Sequence, residues 1–312
     1  MSVKAVILAA GKGTRMKSEF VKVAHAVAGK PVVNYVIEAV LAASAKEVIV
    51  VVGHQAELVQ ELSSGYPNMS YVLQAEQLGT GHALMQVVPH LTDPNDTVVV
   101  LAGDCPLIKP DTLQALLAVH AQSHAAGTIL TTEMADPASY GRILRDEAGH
   151  VLAIREAKDC TPDERAVREI NTGIYCFSAG LLVDSLQKIT TNNVQKEYYL
   201  TDVLEILRQA GHGVAAYCTP NSEQAIGINT RMDLAEINRV IYDQNNLHFM
   251  TEGVTLTDPA TTFIDASVQI GRDTLIHPFC VIRGDTVIGS GCEIGPHAYL
   301  VDQSVPDGTV TR

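Results

Sequence analysis

No apolar stretch in this 312-residue chain approaches the roughly 20 residues that a membrane-spanning helix requires. The start, Met1-Ser2-Val3-Lys4, runs directly into a strand-like segment. It lacks the apolar core and small-residue cleavage site of a signal peptide, so a cytoplasmic location is expected. There is no Gly-X-Y run among the 23 glycines and 13 prolines, which excludes collagen. No C-x-x-C occurs: Cys105, Cys160, Cys176, Cys218, Cys280 and Cys292 are scattered. They read as buried thiols, not as a disulfide framework or a zinc site. Positive charge is scarce, with 22 basic against 35 acidic residues and a net charge of −13, which argues against a nucleic-acid partner.

What is present is ordinary globular material, 46% hydrophobic and 18% charged, in a length that suggests two domains. Charge is uneven. Residues 1–30 hold Lys4, Lys12, Arg15, Lys17, Lys22 and Lys30 against Glu19 alone. A small positive island on an acidic protein suits a compact polyanion such as a nucleoside triphosphate.

Short apolar runs at 3–8, 48–52, 71–73 and 98–101 alternate with helical patterns at 31–43, 55–62, 81–88 and 111–126. Pro31 suits a first helical position. This alternation predicts an α/β fold: a mixed, mainly parallel sheet of Rossmann-like type with helices on both faces. Ligands of such sheets bind at the carboxyl ends of the strands, near a switch in strand order. Strand candidates at 128–132, 170–177 and 214–218 and helices at 180–186 and 200–210 extend the same domain. Residues 231–247 form an amphipathic helix. Beyond it Ile264, Ile270, Ile276, Ile282, Ile288, Ile294 and Leu300 recur every six residues, with Val268, Thr274, Cys280, Thr286, Cys292, Ala298 and Ser304 four further on. That period is the mark of a parallel β-helix. The expected organisation is a first domain over residues 1–229, a linking helix over 230–250 and a short β-helix over 251–312.

The segment after the first strand is Leu8-Ala-Ala-Gly11-Lys-Gly13-Thr-Arg15-Met16. Gly11 and Gly13 let backbone N–H groups approach an anion, and Lys12, Arg15 and Lys22 add charge. The dinucleotide fingerprint needs glycine where Met16 stands, and neither Gly11-Lys12 nor Gly29-Lys30 continues as a P-loop. Asp104 follows the apolar run 98–103, at the ligand-bearing edge of the expected sheet. One such carboxylate suits Mg²⁺, which takes one or two protein oxygens plus phosphates and water.

Leu8–Ser18 with Lys22 and Ala28-Gly-Lys-Pro31 resembles the signature of the sugar-1-phosphate nucleotidyltransferases. The closest likeness is to the bifunctional bacterial N-acetylglucosamine-1-phosphate uridyltransferases, which are also glucosamine-1-phosphate acetyltransferases. The likeness continues in Gln74–Ala83, Leu101–Leu107, Tyr140–Ile143, Glu169–Tyr175, Glu197–Asp202 and Gly227–Arg231. It implies transfer of uridylyl from UTP to N-acetyl-α-D-glucosamine 1-phosphate with release of pyrophosphate, assisted by Mg²⁺. Another sugar 1-phosphate, such as glucose 1-phosphate, is the alternative acceptor. The resemblance implies catalytic Arg15 and Lys22, and nucleotide contacts at Leu8, Ala10, Gly11, Lys12, Gly13, Gln74, Gln77, Gly79 and Thr80. It places the sugar on Gly141, Glu156, Asn171 and Thr201, and the metal on Asp104 and Asn229. His25, His54 and His82 read as structural histidines.

Two departures stand out. Phe20-Val21-Lys22 replaces the family's Leu-Pro-Lys, which keeps the charge without the rigid ring. The hexads make a little over two left-handed coils by the family's count of three hexads per coil. Acetyl transfer is therefore not expected, and a homotrimer held by the hexads is; no membrane partner is expected.

Overall fold

The computed structural model describes residues 2–311. The chain divides into two compact units, Met1–Ala24 with Val32–Gly227 and His25–Pro31 with Ile228–Arg312.

The first unit is built on nine strands, labelled here β1 Val3–Leu8, β2 Glu47–Val52, β3 Met69–Leu73, β4 Thr97–Ala102, β5 Gly127–Glu133, β6 Arg142–Arg145, β7 Val151–Arg155, β8 Glu169–Ser178 and β9 Val214–Cys218. The sheet runs β9-β5-β8-β4-β1-β2-β3, with the β6–β7 hairpin attached to β8. β4, β1, β2 and β3 are mutually parallel. β8 lies antiparallel between β4 and β5, and β9 is parallel to β5. Mixed polarity of this kind is what the sequence pattern leaves open, since a buried antiparallel strand carries the same apolar run as a parallel one.

The apolar runs are continuous because both sheet faces are covered. Val6, Ile49, Val100 and Phe177 enter one buried layer. Their neighbours Ala5, Ile7, Val50, Val99 and Leu101 enter the other, as the two-residue period of a strand requires. From β1 the chain steps to β2 and β3 on one side, then returns to β4 on the other. Leu8 is thereby flanked by Val51 and Ala102. The strand order reverses at the carboxyl ends of β1 and β4, where a crevice opens by construction.

The helix that follows the first loop is Val32–Ala42. Pro31 lies outside it, in a two-residue strand, Lys30–Pro31, paired with Ala26–Val27. This hairpin belongs to the second unit, although the sequence pattern leaves it in the first domain. The Ala28 N–H donates to Asn238 Oδ1 at 2.7 Å and its carbonyl accepts from Ala266 at 3.3 Å.

The second unit's long helix, Arg231–Thr251, begins with a capping box in which Thr230 and Asp233 satisfy each other's backbone N–H groups. The β-helix then forms three faces of three short parallel strands each, among them Phe263–Ile264, Val281–Arg283 and Tyr299–Val301. Each face thus has three rungs where the hexad count gives a little over two coils. The first rung is Thr255–Leu256, in register with Leu275–Ile276. Leu256 precedes Ile264 by eight residues, the turn Pro259–Thr261 lying between them, and this break in period hides the rung from a search for sixes. Ile264, Ile276, Ile282, Ile288 and Ile294 are buried in one column with Cys280 and Cys292. Of the other cysteines Cys105 and Cys176 are buried, Cys160 is half-buried, and Cys218 is exposed, against the expectation of burial.

Ile282 is fully buried, between Ile264 and Leu300 on adjoining rungs. Ile282→Ala is expected to cost about 2–5 kcal/mol, the usual penalty of a buried isoleucine truncation. A urea melt followed by a signal from the β-helix checks it; an unchanged midpoint overturns the packing account.

Candidate active site

A cavity of about 300 Å³ opens at the strand-order reversal. Its floor is the Leu8–Gly11 backbone at the end of β1 and Ala102 at the end of β4; Lys22, Gln74, Gln77, Gly79, Thr80, Asp104 and Glu197 complete it. The floor is held by strand-like hydrogen bonds that run past the sheet: Ala9 N–H to the Val51 carbonyl and Gly103 N–H to the Leu8 carbonyl, both 2.9 Å. Gly11 meets nothing within 4 Å of where a side chain would begin, so its backbone is open to a ligand. Gly13 has a different task. It sits at φ +63°, and a Cβ there would lie 2.7 Å from the Lys22 Cβ. Gly13 thus supplies a left-handed turn and lets the lysine-bearing loop close over it.

Lys22 and Asp104 form an ion pair through Nζ and Oδ2, with both side chains largely buried. On the other carboxylate oxygen, Oδ1, the Cys105 Sγ donates at 3.5 Å. Burial, with the Asp104 charge beside it, holds the Cys105 thiol well above its ordinary range, so it remains a donor. Among the described residues no group of three or more His, Cys, Asp or Glu side chains is arranged to hold a metal by itself. The donor set fits an ion that takes one protein carboxylate and completes its shell with phosphate and water oxygens. Asp104 is already placed against a cation, the Lys22 ammonium. Asn229 lies in the second unit, where its backbone N–H donates to Asp233 at 2.9 Å just ahead of the long helix.

Gln74 is buried and its amide is oriented. Nε2 lies 3.1 Å from the Gly79 carbonyl and 3.1 Å from His82 Nδ1. His82 Nε2 is in turn 3.2 Å from Gln86. The Gly79 carbonyl, an acceptor, therefore fixes which end of the Gln74 amide carries the nitrogen, and the His82 ring lies beside that nitrogen. Gln77 Nε2 donates to the Gln74 carbonyl at 3.2 Å. Gly79, at φ +115°, lets the segment at Tyr198 approach, where a Cβ would meet the Tyr198 carbonyl at 2.5 Å. Gly81 N–H donates to the Tyr198 carbonyl at 2.8 Å and Leu200 N–H to Thr80 Oγ1 at 3.1 Å, tying the loop at 77–81 to residues 197–200.

The four sugar candidates gather around β8 and its neighbours. The β8–β5 register shifts between Asn171 and Tyr175, a bulge containing Gly173 at φ +78°. Asn171 Oδ1 accepts from both the Gly173 N–H and the Tyr175 hydroxyl at 2.9 Å, which leaves its NH₂ group as the donor to offer. The Gly141 carbonyl accepts the Asn171 N–H at 2.9 Å. Burial, then the charges of Asp159, Asp202 and Glu197, raise the Glu156 carboxyl above its usual range. Burial and Glu205 push Asp202 up to about 6. Thr201 Oγ1 and the Tyr199 hydroxyl are buried without a hydrogen-bond partner, an arrangement native proteins keep chiefly where a ligand or water completes it.

The cavity thus brings together Leu8, Ala10, Gly11, Lys22, Gln74, Gln77, Gly79, Thr80 and Asp104. Lys12 lines an adjoining pocket with Gly53, His54, Gln74 and Gln77. Arg15 is exposed on the turn Thr14–Met16 and does not line the cavity; the buried residue of that turn is Met16. Sequence reasoning missed Ala9, Val23, Ala83, Ala102 and Glu197 among the lining residues. Small side chains at the ends of parallel strands are the signal for Ala9 and Ala102, and Glu197 opens a quoted motif without having been assigned to it.

The family model for nucleotidyl transferases matches residues 4–227, and that for the bacterial transferase hexapeptide (six repeats) matches 267–301. The bifunctional protein GlmU of Syntrophomonas wolfei subsp. wolfei is 47% identical over 305 residues, which cover 98% of this chain and 68% of the relative. That of Geobacillus thermodenitrificans is 49% identical over 308 residues, covering 99% and 67%. The chain therefore spans about two thirds of the length of these relatives. A crystal structure of UDP-glucose pyrophosphorylase complexed with UDP-glucose shares the fold, with a TM-score of 0.62 at 17% identity, covering 78% of this chain and all of that one. The chain belongs to the nucleotidyl transferase family, as a relative of the bifunctional GlmU proteins, and is an enzyme of that class.

Proposed function

We propose that this chain transfers uridylyl from UTP to N-acetyl-α-D-glucosamine 1-phosphate, forming UDP-N-acetylglucosamine and pyrophosphate. The observation that carries the reading is the Lys22–Asp104 pair on the wall of a cavity floored by open backbone. The acceptor's phosphate has a second pKa of about 6 and is already an anion near pH 7. The task is to bring two anions together and let charge leave on pyrophosphate, and the remedy is fixed positive charge. The Leu8–Gly11 backbone takes phosphate oxygens, and Lys22 turns from Asp104 to them as they arrive. Asp104 would hold Mg²⁺, and the resemblance alone adds Asn229 as a second ligand. Bound there, Mg²⁺ would supply positive charge to offset that of the phosphates. Arg15 and Lys12 flank the phosphates from the exposed loop, with Gly13 shaping that loop. The Gln74 amide, held by the Gly79 carbonyl, reads the base with Gln77, Gly79 and Thr80. Glu156 accepts from sugar hydroxyls, and Asn171 donates to a sugar or acetamido oxygen beside Gly141 and Thr201.

The hexads supply a second element of the reading, assembly as a homotrimer. The exposed Phe279, Val287 and Tyr299 of the β-helix are apolar side chains that such packing covers. Light scattering at micromolar concentration is expected to give three times the chain mass, and a clean monomer overturns this element.

Asp104→Ala is expected to lower kcat at least 100-fold in a pyrophosphate-release assay with UTP, Mg²⁺ and N-acetylglucosamine 1-phosphate; near-wild-type turnover removes the metal assignment. Parallel kcat/KM values with glucose 1-phosphate rank the acceptors. The raised Glu156 carboxyl takes up its proton at a higher pH than an ordinary glutamate. The acceptor's KM should therefore begin to rise, as the medium is acidified, at a higher pH than an unshifted glutamate would allow. In Glu156→Gln the KM should be about tenfold higher at pH 8 and respond less to pH. Parallel profiles of the two proteins would remove Glu156 from the sugar site.

A further inference from the structure

Lys22 opens the short turn Lys22–Ala24 between two buried side chains, Val21 and Val23. Ahead of it Lys17, Glu19 and Phe20 are exposed, and Lys17 is left-handed at φ 47°. Across from them stands Gln55, the residue preceding the helix Ala56–Ser63. Its Oε1 accepts the Val21 N–H at 2.7 Å. Its Nε2 donates to the Glu19 carbonyl at 3.0 Å. One side-chain amide thus grips the loop at both edges, in the two-point manner of a strand pairing.

Two further features single Gln55 out. It holds φ 53° and ψ 44°, a left-handed conformation that costs a non-glycine residue energy. It occupies the N-cap position, yet its side chain makes no capping hydrogen bond to its own helix. Both amide atoms serve the loop instead. The chain also keeps an N–H at position 21, where the resembled family carries a proline with none to donate.

We infer that Gln55 is a positioning residue for Lys22, holding residues 19–21 so that the ammonium is delivered to the cavity and to Asp104. The inference rests on the proposed role of Lys22 at the phosphates. Rigidity that a proline ring would place in the loop's own backbone is here supplied from the end of β2.

The test combines steady-state kinetics in the pyrophosphate-release assay with thermal melts of the full chain. Gln55→Asn keeps a residue that tolerates the left-handed region but is too short to reach. Gln55→Gly removes the side chain without backbone strain and stands in if the asparagine variant does not fold. Each is expected to lower kcat about tenfold, the scale on which a small misplacement of a reacting group acts. The acceptor's KM should stay within about twofold and the melting temperature within a few degrees. Gln55→Glu keeps the acceptor for Val21 and loses the donor to Glu19, and should lie between. In a Val21→Pro background, which has no N–H to hold, Gln55→Asn should cost less than in the unmodified background, since only the bond to the Glu19 carbonyl is left to lose. An unchanged kcat for the Gln55 variants overturns the inference, and so does an equal loss in both backgrounds. Lys22→Met separates the layers. If it costs more than about 100-fold while Gln55→Asn costs nothing, only the positioning role falls. If Lys22→Met is itself harmless, the reading of Lys22 falls with it.

Discussion

An ammonium and a carboxylate from loops more than eighty residues apart meet where the strand order reverses, and the first unit is arranged around that meeting. β1 and β4 pair in register from Val3 with Thr97 to Leu8 with Ala102. The loops they carry must therefore diverge from the same edge. Gly13 removes a side chain so that the Lys22 loop can fold back, and Gly227 presents no Cβ to the Asp104 carboxylate, which lies 3.3 Å from where one would stand. Removing two charges from water is favourable only when each finds a partner. Lys22 and Asp104 satisfy each other in this way.

The buried amides of the first unit use a different device. Around Gln74 and Asn171, neighbours hold one end of each side-chain amide. Gln74 has its amide nitrogen committed to the Gly79 carbonyl, and Asn171 has its oxygen committed to Gly173 and Tyr175. Buried hydrogen-bond networks fix side-chain direction in this way at little entropic cost on binding. The two amides present opposite chemistry, although their residue types differ by one methylene.

Much of this architecture was legible in the residues. Parallel strands, crossover helices and the six-residue column follow from hydrophobic period alone, because the period is what burial on one or two faces demands. The cavity's position followed from a general property of such sheets, and its chief residues from the motifs at 8–11, 22, 74–80 and 104. Other features leave no trace in local pattern. The antiparallel insertion of β8 and the hairpin at 142–155 depend on long-range pairing, and the assignment of residues 25–31 to the second unit depends on Asn238 and Ala266. The contact of His82 with Gln74 and the service of Gln55 to Val21 depend on which atoms meet after folding. The rung at Leu256 was missed because two additional residues interrupt the count.

That interruption bears on how the β-helix tolerates change. The extra residues are taken up in the turn at Pro259–Thr261, while Leu256 and Ile264 still project into the apolar column. Asp258 folds the excess inward: its side chain accepts from the Ala260 N–H at 3.1 Å and from the Thr261 hydroxyl at 2.8 Å. Chain length is thus elastic at the corners of the prism and inelastic along its flats. Drift by insertion should accumulate at vertices such as this one, and a shift of a single residue on a flat would invert the inward and outward alternation along that edge.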